Sequence, residues 1–251
     1  FRARRDAAYR AWWEHQPVRL PAPSGPVFPT HRTVALGPLV DVFLLDGRQF
    51  RSDQACNIPA GQIAPPCPEV TTPGRTMLGA DQETWLTAAL AQARATWAVI
   101  ANQTLVTDLK LGDAILNYDQ WDGYPEARAR LIDTLAAHGP GRAVVLTGDI
   151  HFAGVTELAG ADGTTVAIEL VCTSITSEGL NPAFQPALAA FPRIHYAELA
   201  RRGWTRHTIG PDRWLAEYRV VADVADVASA VATDAQFALT PGAPVPVRIN
   251  P

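Results

Sequence analysis

Ala143-Val144-Val145-Leu146-Thr147-Gly148-Asp149-Ile150-His151 joins the strongest strand signal in the chain to its best candidate for chemistry. Five uncharged residues, two of them β-branched valines, run into a glycine that can turn the chain sharply, and an acid and an imidazole follow. The expectation is a strand that delivers ligands at its carboxyl end. If residues 149 to 151 stay extended, Asp149 and His151 project to the same side, because side chains two apart along a strand share a face. A hard carboxylate oxygen beside an imidazole nitrogen suits zinc, iron or manganese better than calcium alone. The competing reading makes Gly148-Asp149 a turn and His151 a surface residue, since motifs this short recur by chance.

Working outward, Pro125 to His138 reads as a helix with proline at its first position, closed by Gly139-Pro140-Gly141. Gly154 to Leu158 and Thr164 to Val171 are apolar runs joined across the turn sequence Gly160-Ala161-Asp162-Gly163, a hairpin pattern. Val34 to Leu45 reads as two short strands broken at Gly37-Pro38, and Trp97 to Ala101 as another strand. Between them a helix begins near Gly79-Ala80-Asp81, its acidic first turn favoured by the helix dipole. Residues 3 to 15 form a helix that gathers Tyr9, Trp12 and Trp13 on one face. Residues 182 to 201 are expected to be helical, interrupted by Pro186 and Pro192, and Trp204 to Ile209 pairs with Trp214 to Val221. Residues 221 to 235 show no clear period, and the tail to Pro251 is rich in proline. Strand pairs mixed with helices predict an α/β fold, α+β in character, with a mixed sheet.

The 251 residues are enough for one sizeable core, and 47% hydrophobic with 18% charged is an ordinary globular balance. A net charge of −4 without runs of one sign argues against a nucleic-acid surface. No window approaches the ~20 apolar residues of a membrane span, and Phe-Arg-Ala-Arg-Arg at the start is no signal peptide. A start at Phe1 without Met suggests a processed or truncated product. Cys56 and Cys67 sit in a loop rich in Pro and Gly, where a bridge would staple structure that has little core of its own; an exported protein could form it. Cys172 reads as a buried small hydrophobe.

Polar residues cluster at three strand-to-loop ends: Asp46 to Asp53, Asp113 to Tyr124, and Asp149 to His151. Arg48 and Arg51 suit a phosphate, because a guanidinium fork fits two oxygens at once; their bland role is a surface salt bridge with Asp46 or Asp53. Trp121-Asp122-Gly123-Tyr124-Pro125 reads more simply as aromatics packing a loop onto a helix start. The chain has no Gly-x-Ser-x-Gly elbow, no phosphate-cradling glycine loop and no His-Glu-x-x-His.

Taken in order, Asp46-Gly47-Arg48-Gln49-Phe50-Arg51-Ser52-Asp53-Gln54-Ala55-Cys56, Thr76-Met77-Leu78-Gly79-Ala80-Asp81-Gln82 with Trp85-Leu86, the Trp121 to Pro125 run, Leu146 to His151, and Thr173-Ser174-Ile175-Thr176-Ser177 resemble the PhoD-like alkaline phosphatases. The helix around Tyr9 to Arg19, Arg202-Gly203-Trp204 and Asp212-Arg213-Trp214 fit as well, so the resemblance runs over about residues 5 to 221. It implies a metallophosphoesterase fold, a sandwich of two mixed sheets flanked by helices. It further implies an exported, secreted or periplasmic enzyme using iron and calcium in a dinuclear or trinuclear site on phosphate monoesters and diesters. Asp149 and His151 would be metal ligands, Arg48 and His151 catalytic residues, and Asp46, Arg51, Asp122, Arg193 and His195 substrate or supporting residues. The chemistry would be hydrolysis by an activated water at phosphorus.

Two departures shape the expectation. The family's earlier motifs are absent from this chain, which makes residues 1–221 the C-terminal part of a catalytic domain and 222–251 a strand or tail. The chain would then supply part of the site and depend on the missing N-terminal part of the same domain. Where the family shows Asn-Pro-His, this chain has Phe191-Pro192-Arg193, with His195 as the candidate substitute. Phe50 where Tyr is usual removes a hydrogen bond. Arg193 also motivates the alternative of a non-catalytic relative, or scaffold, that keeps the fold without its metal ligands.

Overall fold

The computed structural model describes residues 2–59 and 62–249. Helix α1 (Arg2–His15) is followed by strands β1 (Arg32–Leu36) and β2 (Val40–Leu44), helix α2 (Ala80–Gln92) and strand β3 (Trp97–Ala101). A short hairpin of β4 (Lys110–Leu111) and β5 (Ala114–Ile115) precedes helix α3 (Pro125–His138) and strands β6 (Ala143–Thr147), β7 (Ala153–Ala159) and β8 (Thr165–Val171). Helix α4 (Gln185–Ala189) leads to β9 (Ile194–Glu198), β10 (Gly203–Ile209), β11 (Trp214–Val221), β12 (Val231–Leu239) and β13 (Val247–Arg248).

The main sheet has seven strands in the order β1-β2-β3-β6-β8-β7-β9. Its centre, β2-β3-β6-β8, is parallel, with Leu44 opposite Ala101, Ala101 opposite Leu146, and Thr147 opposite Val171. Four carboxyl ends therefore share one edge, the place where open α/β sheets bind ligands. The connections through α2 and α3 are crossover helices, which parallel neighbours require. The antiparallel margins come from hairpins: β1 on β2, and β7 between β8 and β9.

Both faces of the central strands are covered, which is why β3 and β6 read as runs without a charged residue, while β2 and β8 carry one acid each, Asp41 and Glu169. On one face Phe43, Ile100 and Val145 pack with Leu86 and Leu90 of α2 and Leu131 and Leu135 of α3. On the other, Val99, Val144, Val155 and Ile168 meet Trp214, Tyr218 and Phe237 of a four-stranded sheet ordered β10-β11-β12-β13. That second sheet is antiparallel throughout its described pairs. Two polar bonds pin it down: Trp97 Nε1 donates to the Gly210 carbonyl at 2.9 Å and Tyr218 Oη to the Gly154 carbonyl at 2.5 Å.

Two expectations about the C-terminal region are corrected. Of residues 182 to 201 only Pro182–Phe184 and α4 are helical; beyond Pro192 the chain becomes edge strand β9, with Tyr196 turned inward against Tyr218. The helical period fails there because Pro192 stops the helix and the alternation of Ile194, Tyr196 and Glu198 suits an edge. Nor are residues 221 to 235 without a period to their end: from Val231 they enter β12, a strand within the expected strand or tail of 222–251, where Ala235, Phe237 and Leu239 alternate into the core. Strand β12 bonds to β11 from Trp214–Leu239 to Val221–Val231, so residues on either side of 221 share one sheet. Among the described residues no helix is long and apolar enough to cross a membrane.

Candidate functional site

The loops after β2, β6 and β8 converge at the carboxyl edge. After β2, the Asp46 carboxylate folds back on its own loop, accepting from the backbone N–H of Arg48 at 3.1 Å and of Gln49 at 3.0 Å. Its other oxygen accepts from Thr30 Oγ1 at 2.8 Å, and the Asp46 N–H donates to Gln82 Oε1 at 2.8 Å. The Gly47 N–H donates to Gln103 Oε1 at 2.9 Å, while Gln103 Nε2 donates to the Leu45 carbonyl at 2.7 Å. An aspartate turn braced by two glutamines thus holds Arg48 in place. Asp46 positions this turn, the supporting one of the two roles expected for it.

Arg48 and Arg51 do not pair with Asp46 or Asp53. Arg48 Nη1 donates to Asp119 Oδ2 at 2.6 Å, and its Nη2 lies 3.6 Å from Asp149 Oδ1. Arg51 reaches Asp119 Oδ1 at 2.7 Å and the Asp119 carbonyl at 3.0 Å. Burial alone would raise the Asp119 carboxyl, but the hydrogen bonds from Arg48 and Arg51 outweigh it and hold the carboxyl below its usual value. Asp119 therefore stays ionised as the hinge between two guanidinium groups. It carries no local motif; its partners stand 71 and 68 residues away, which is why sequence reasoning passed it over as one acid in a loop.

After β6 the backbone is not extended. Asp149 has φ 69° and His151 φ 64°, both left-handed, and the Ile150 N–H donates back to the Gly148 carbonyl at 2.8 Å. The shared-face argument therefore fails, and a three-residue turn replaces it. Left-handed geometry at a non-glycine residue costs about 1–3 kcal/mol and persists where the surroundings enforce it, commonly at functional sites. His151 Nδ1 lies 3.0 Å from the Glu178 carbonyl, which can only accept, so Nδ1 is the donor there and Nε2 is the nitrogen left outside that bond. A backbone carbonyl bracing the far nitrogen is the usual way a ligating histidine is oriented. The Asp149 side chain is 43% exposed. Among the described residues no group of three or more His, Cys, Asp or Glu gathers as a metal shell. Asp149 and Nε2 of His151 are donors of the types such a shell uses, and two fall short of the roughly four to eight that zinc or calcium takes.

Other expected site residues lie elsewhere. Arg193 donates to the Gly163 carbonyl at 2.8 Å and lies 3.5 Å from Glu157, whose other oxygen is 2.6 Å from His195 Nε2. Because β7 runs antiparallel to β8, Glu157 sits toward the amino ends of the parallel strands, opposite the Asp149 edge. Arg193 and His195 are thus an ion-pair group of the far edge and not part of the cluster. Asp122 is buried with Trp121 and Tyr124, where Tyr124 Oη donates to the Ser52 carbonyl at 2.8 Å. A Cβ on Gly123 would stand 2.3 Å from the Tyr118 carbonyl oxygen, so this run is a packing device that only glycine permits. Cys56 and Cys67 are joined by a disulfide, and Cys172 is a free, half-buried thiol just beyond β8.

Residues 1–218 match the family model described as PhoD-like phosphatase. The chain belongs to the PhoD-like phosphatase family. Alkaline phosphatase D of Bacillus subtilis (strain 168) is 38% identical over 250 residues, which cover 94% of this chain and 42% of that protein. A solved structure of PhoD matches with a TM-score of 0.88 at 34% identity, over 98% of this chain and 49% of that one. The fold is thus metallophosphoesterase-like, and the chain spans less than half the length of these relatives, as a C-terminal part. Within this PhoD-like chain, Arg48, Arg51, Asp119, Asp149 and His151 all fall inside the matched residues.

Proposed function

We propose that this chain is the C-terminal part of a metal-dependent phosphoesterase and supplies one side of its site. The carrying observation is the meeting of Arg48, Asp119 and Asp149 at the carboxyl edge, beside a histidine whose Nε2 is left outside its bond to the Glu178 carbonyl. Asp149 and His151 Nε2 would hold a cation, iron or calcium by family resemblance. The chemistry such a cation would supply there is Lewis acidity toward a phosphoryl oxygen and a lowered pKa for a water. Arg48 binds the phosphoryl group: its Nη2 leaves the loose 3.6 Å contact with Asp149 while Nη1 stays on Asp119. Arg51 keeps Asp119 from following, so the fork remains aimed. Water then displaces the alcohol at phosphorus, and phosphate or a phosphomonoester is released. The remaining donors come from outside this chain, supported by its 42% coverage of the Bacillus relative. The Cys56–Cys67 bridge supports an oxidising compartment, hence export.

The test uses the full-length protein, assayed on p-nitrophenyl phosphate and bis(p-nitrophenyl) phosphate, with bound metal counted by elemental analysis. Asp149→Ala should lose bound metal together with about 100-fold or more in kcat/KM. Full turnover by residues 1–251 alone would refute the partial site. Absence of both metal and turnover in the full-length protein would favour a scaffold.

A further inference from the structure

Beside the cluster lies a cavity of about 240 Å³ whose walls include Leu109, Ile150, Phe152, Leu180 and Leu188. Its position follows from chain neighbours. Ile150 stands between Asp149 and His151, and Leu180 lies two residues beyond Glu178, whose carbonyl braces His151. Asn117, also in the wall, accepts the Asp119 N–H through Oδ1 at 3.0 Å. The cavity wall is thus continuous along the chain with the turn that carries Asp149 and His151 and with the loop that carries Asp119.

Three polar side chains, Asn117, Gln120 and Asp122, interrupt this otherwise apolar wall, and the amide donor of Gln120 has no partner among the described residues. Gln120 is 1% exposed, and its Nε2 has no hydrogen-bond acceptor among the described residues. Buried amide donors are as a rule paired, so a ligand acceptor would complete it. Small-molecule sites have this composition, apolar walls with a few placed polar groups. An apolar cavity of about 150 Å³ takes benzene, so the larger volume here admits a substituted single ring or a short alkyl chain.

We propose that this cavity receives the alcohol-side group of a phosphate ester: a compact aryl or short alkyl group bearing one hydrogen-bond acceptor for Gln120. The proposal rests on the phosphoesterase reading and narrows its substrate class. A phosphoryl group held by Arg48 points its ester oxygen toward Ile150, and the apolar group follows into the cavity.

The test compares 4-methoxybenzyl phosphate, benzyl phosphate and methyl phosphate on the metal-loaded full-length protein. Their leaving alcohols are of similar basicity, so kcat/KM reports binding of the organic group. A preference of about 10- to 100-fold for the methoxybenzyl over the methyl ester is expected. Ala187→Trp, at an exposed position in the cavity wall, should bring that ratio near one while methyl phosphate turnover holds. Gln120→Met should erase the preference for methoxybenzyl over benzyl. Calorimetric binding of 4-methoxybenzylphosphonate against methylphosphonate gives a second readout that needs no turnover. Turnover without discrimination would overturn the cavity assignment and leave the phosphoesterase standing. Discrimination in binding, lost in Ala187→Trp, without turnover of any ester would do the reverse. Equal binding of both phosphonates, as when another polypeptide segment fills the cavity, would also overturn the assignment.

Discussion

Glu169→Gln removes a charge without changing shape, at a carboxylate that is 0% exposed in the middle of β8. Its Oε1 accepts from the Val106 N–H at 2.7 Å and Thr147 Oγ1 at 2.9 Å. Its Oε2 accepts from the Thr107 N–H at 2.8 Å, Thr107 Oγ1 at 2.5 Å and Thr156 Oγ1 at 3.3 Å. Hydroxyls can reverse, but a backbone N–H cannot. Because each oxygen faces one backbone N–H, either orientation of the glutamine amide sets donor against donor. One charge-assisted bond is lost and the others fall to neutral strength, so relief of charge burial is outweighed and the expected cost is about 2–4 kcal/mol. Glu169→Leu strands both N–H groups at about 1–3 kcal/mol each and should cost more. Urea unfolding of the chain, followed by tryptophan fluorescence, measures this. Slower consequences reach the site: the same loop carries Gln103, which holds Gly47, so hydrogen exchange at the Gly47 amide should quicken. A glutamine variant within about 0.5 kcal/mol of the parent, or a leucine variant more stable than glutamine, would refute the satisfiability argument.

His207 should set an acid limb of stability. Burial lowers its pKa from 6.5 to about 4, and in its neutral form Nδ1 accepts from Trp214 Nε1 at 3.1 Å. The unfolded chain binds a proton near pH 6.5 that the folded one refuses, so stability falls as pH drops from about 6.5 to about 4, by roughly 3 kcal/mol at most. His207→Phe should flatten the urea midpoint over that window, and an unchanged slope would exclude His207 as its source. Reducing Cys56–Cys67, which closes a separation of 11 residues, should cost about 2–3 kcal/mol; protease cleavage between Ala55 and Thr71 with and without reductant reports it. Arg48→Lys keeps the charge but loses the fork that reaches Asp119 and Asp149 together; kcat/KM of the full-length enzyme should drop about 10- to 100-fold with the melting point unmoved.

Most of the sheet was legible. Trp97 to Ala101 and the two runs flanking Gly160-Gly163 read as strands because covered faces demand mostly apolar residues, broken in β7 and β8 by Glu157 and Glu169, and Pro125 to His138 read as a helix from its proline start and glycine stop. The edge was harder: β9 and β12 bury only alternate residues, and a weak alternation between prolines or among small residues resembles a frayed helix or a tail. At the site, Arg48, Asp149 and His151 stood out as polar residues ending apolar strands. Asp119 did not, because an acid in a loop becomes a hinge only when two arginines from another loop reach it.

From residue types and their order alone came the alternation of strands and helices, the family resemblance, and the choice of Asp149 and His151 as candidates. These depend on local periodicity and chain order, which a sequence carries directly. The tertiary structure decided what each charge faces. It turned Asp46 back onto its own loop, moved Arg193 and His195 to the far edge of the sheet, and bent Gly148-Asp149-Ile150-His151 into a left-handed turn. The physical reason is that a charge takes its partner from whatever folding brings within about 4 Å, and at this edge those partners come from loops separated by 68 and 71 residues.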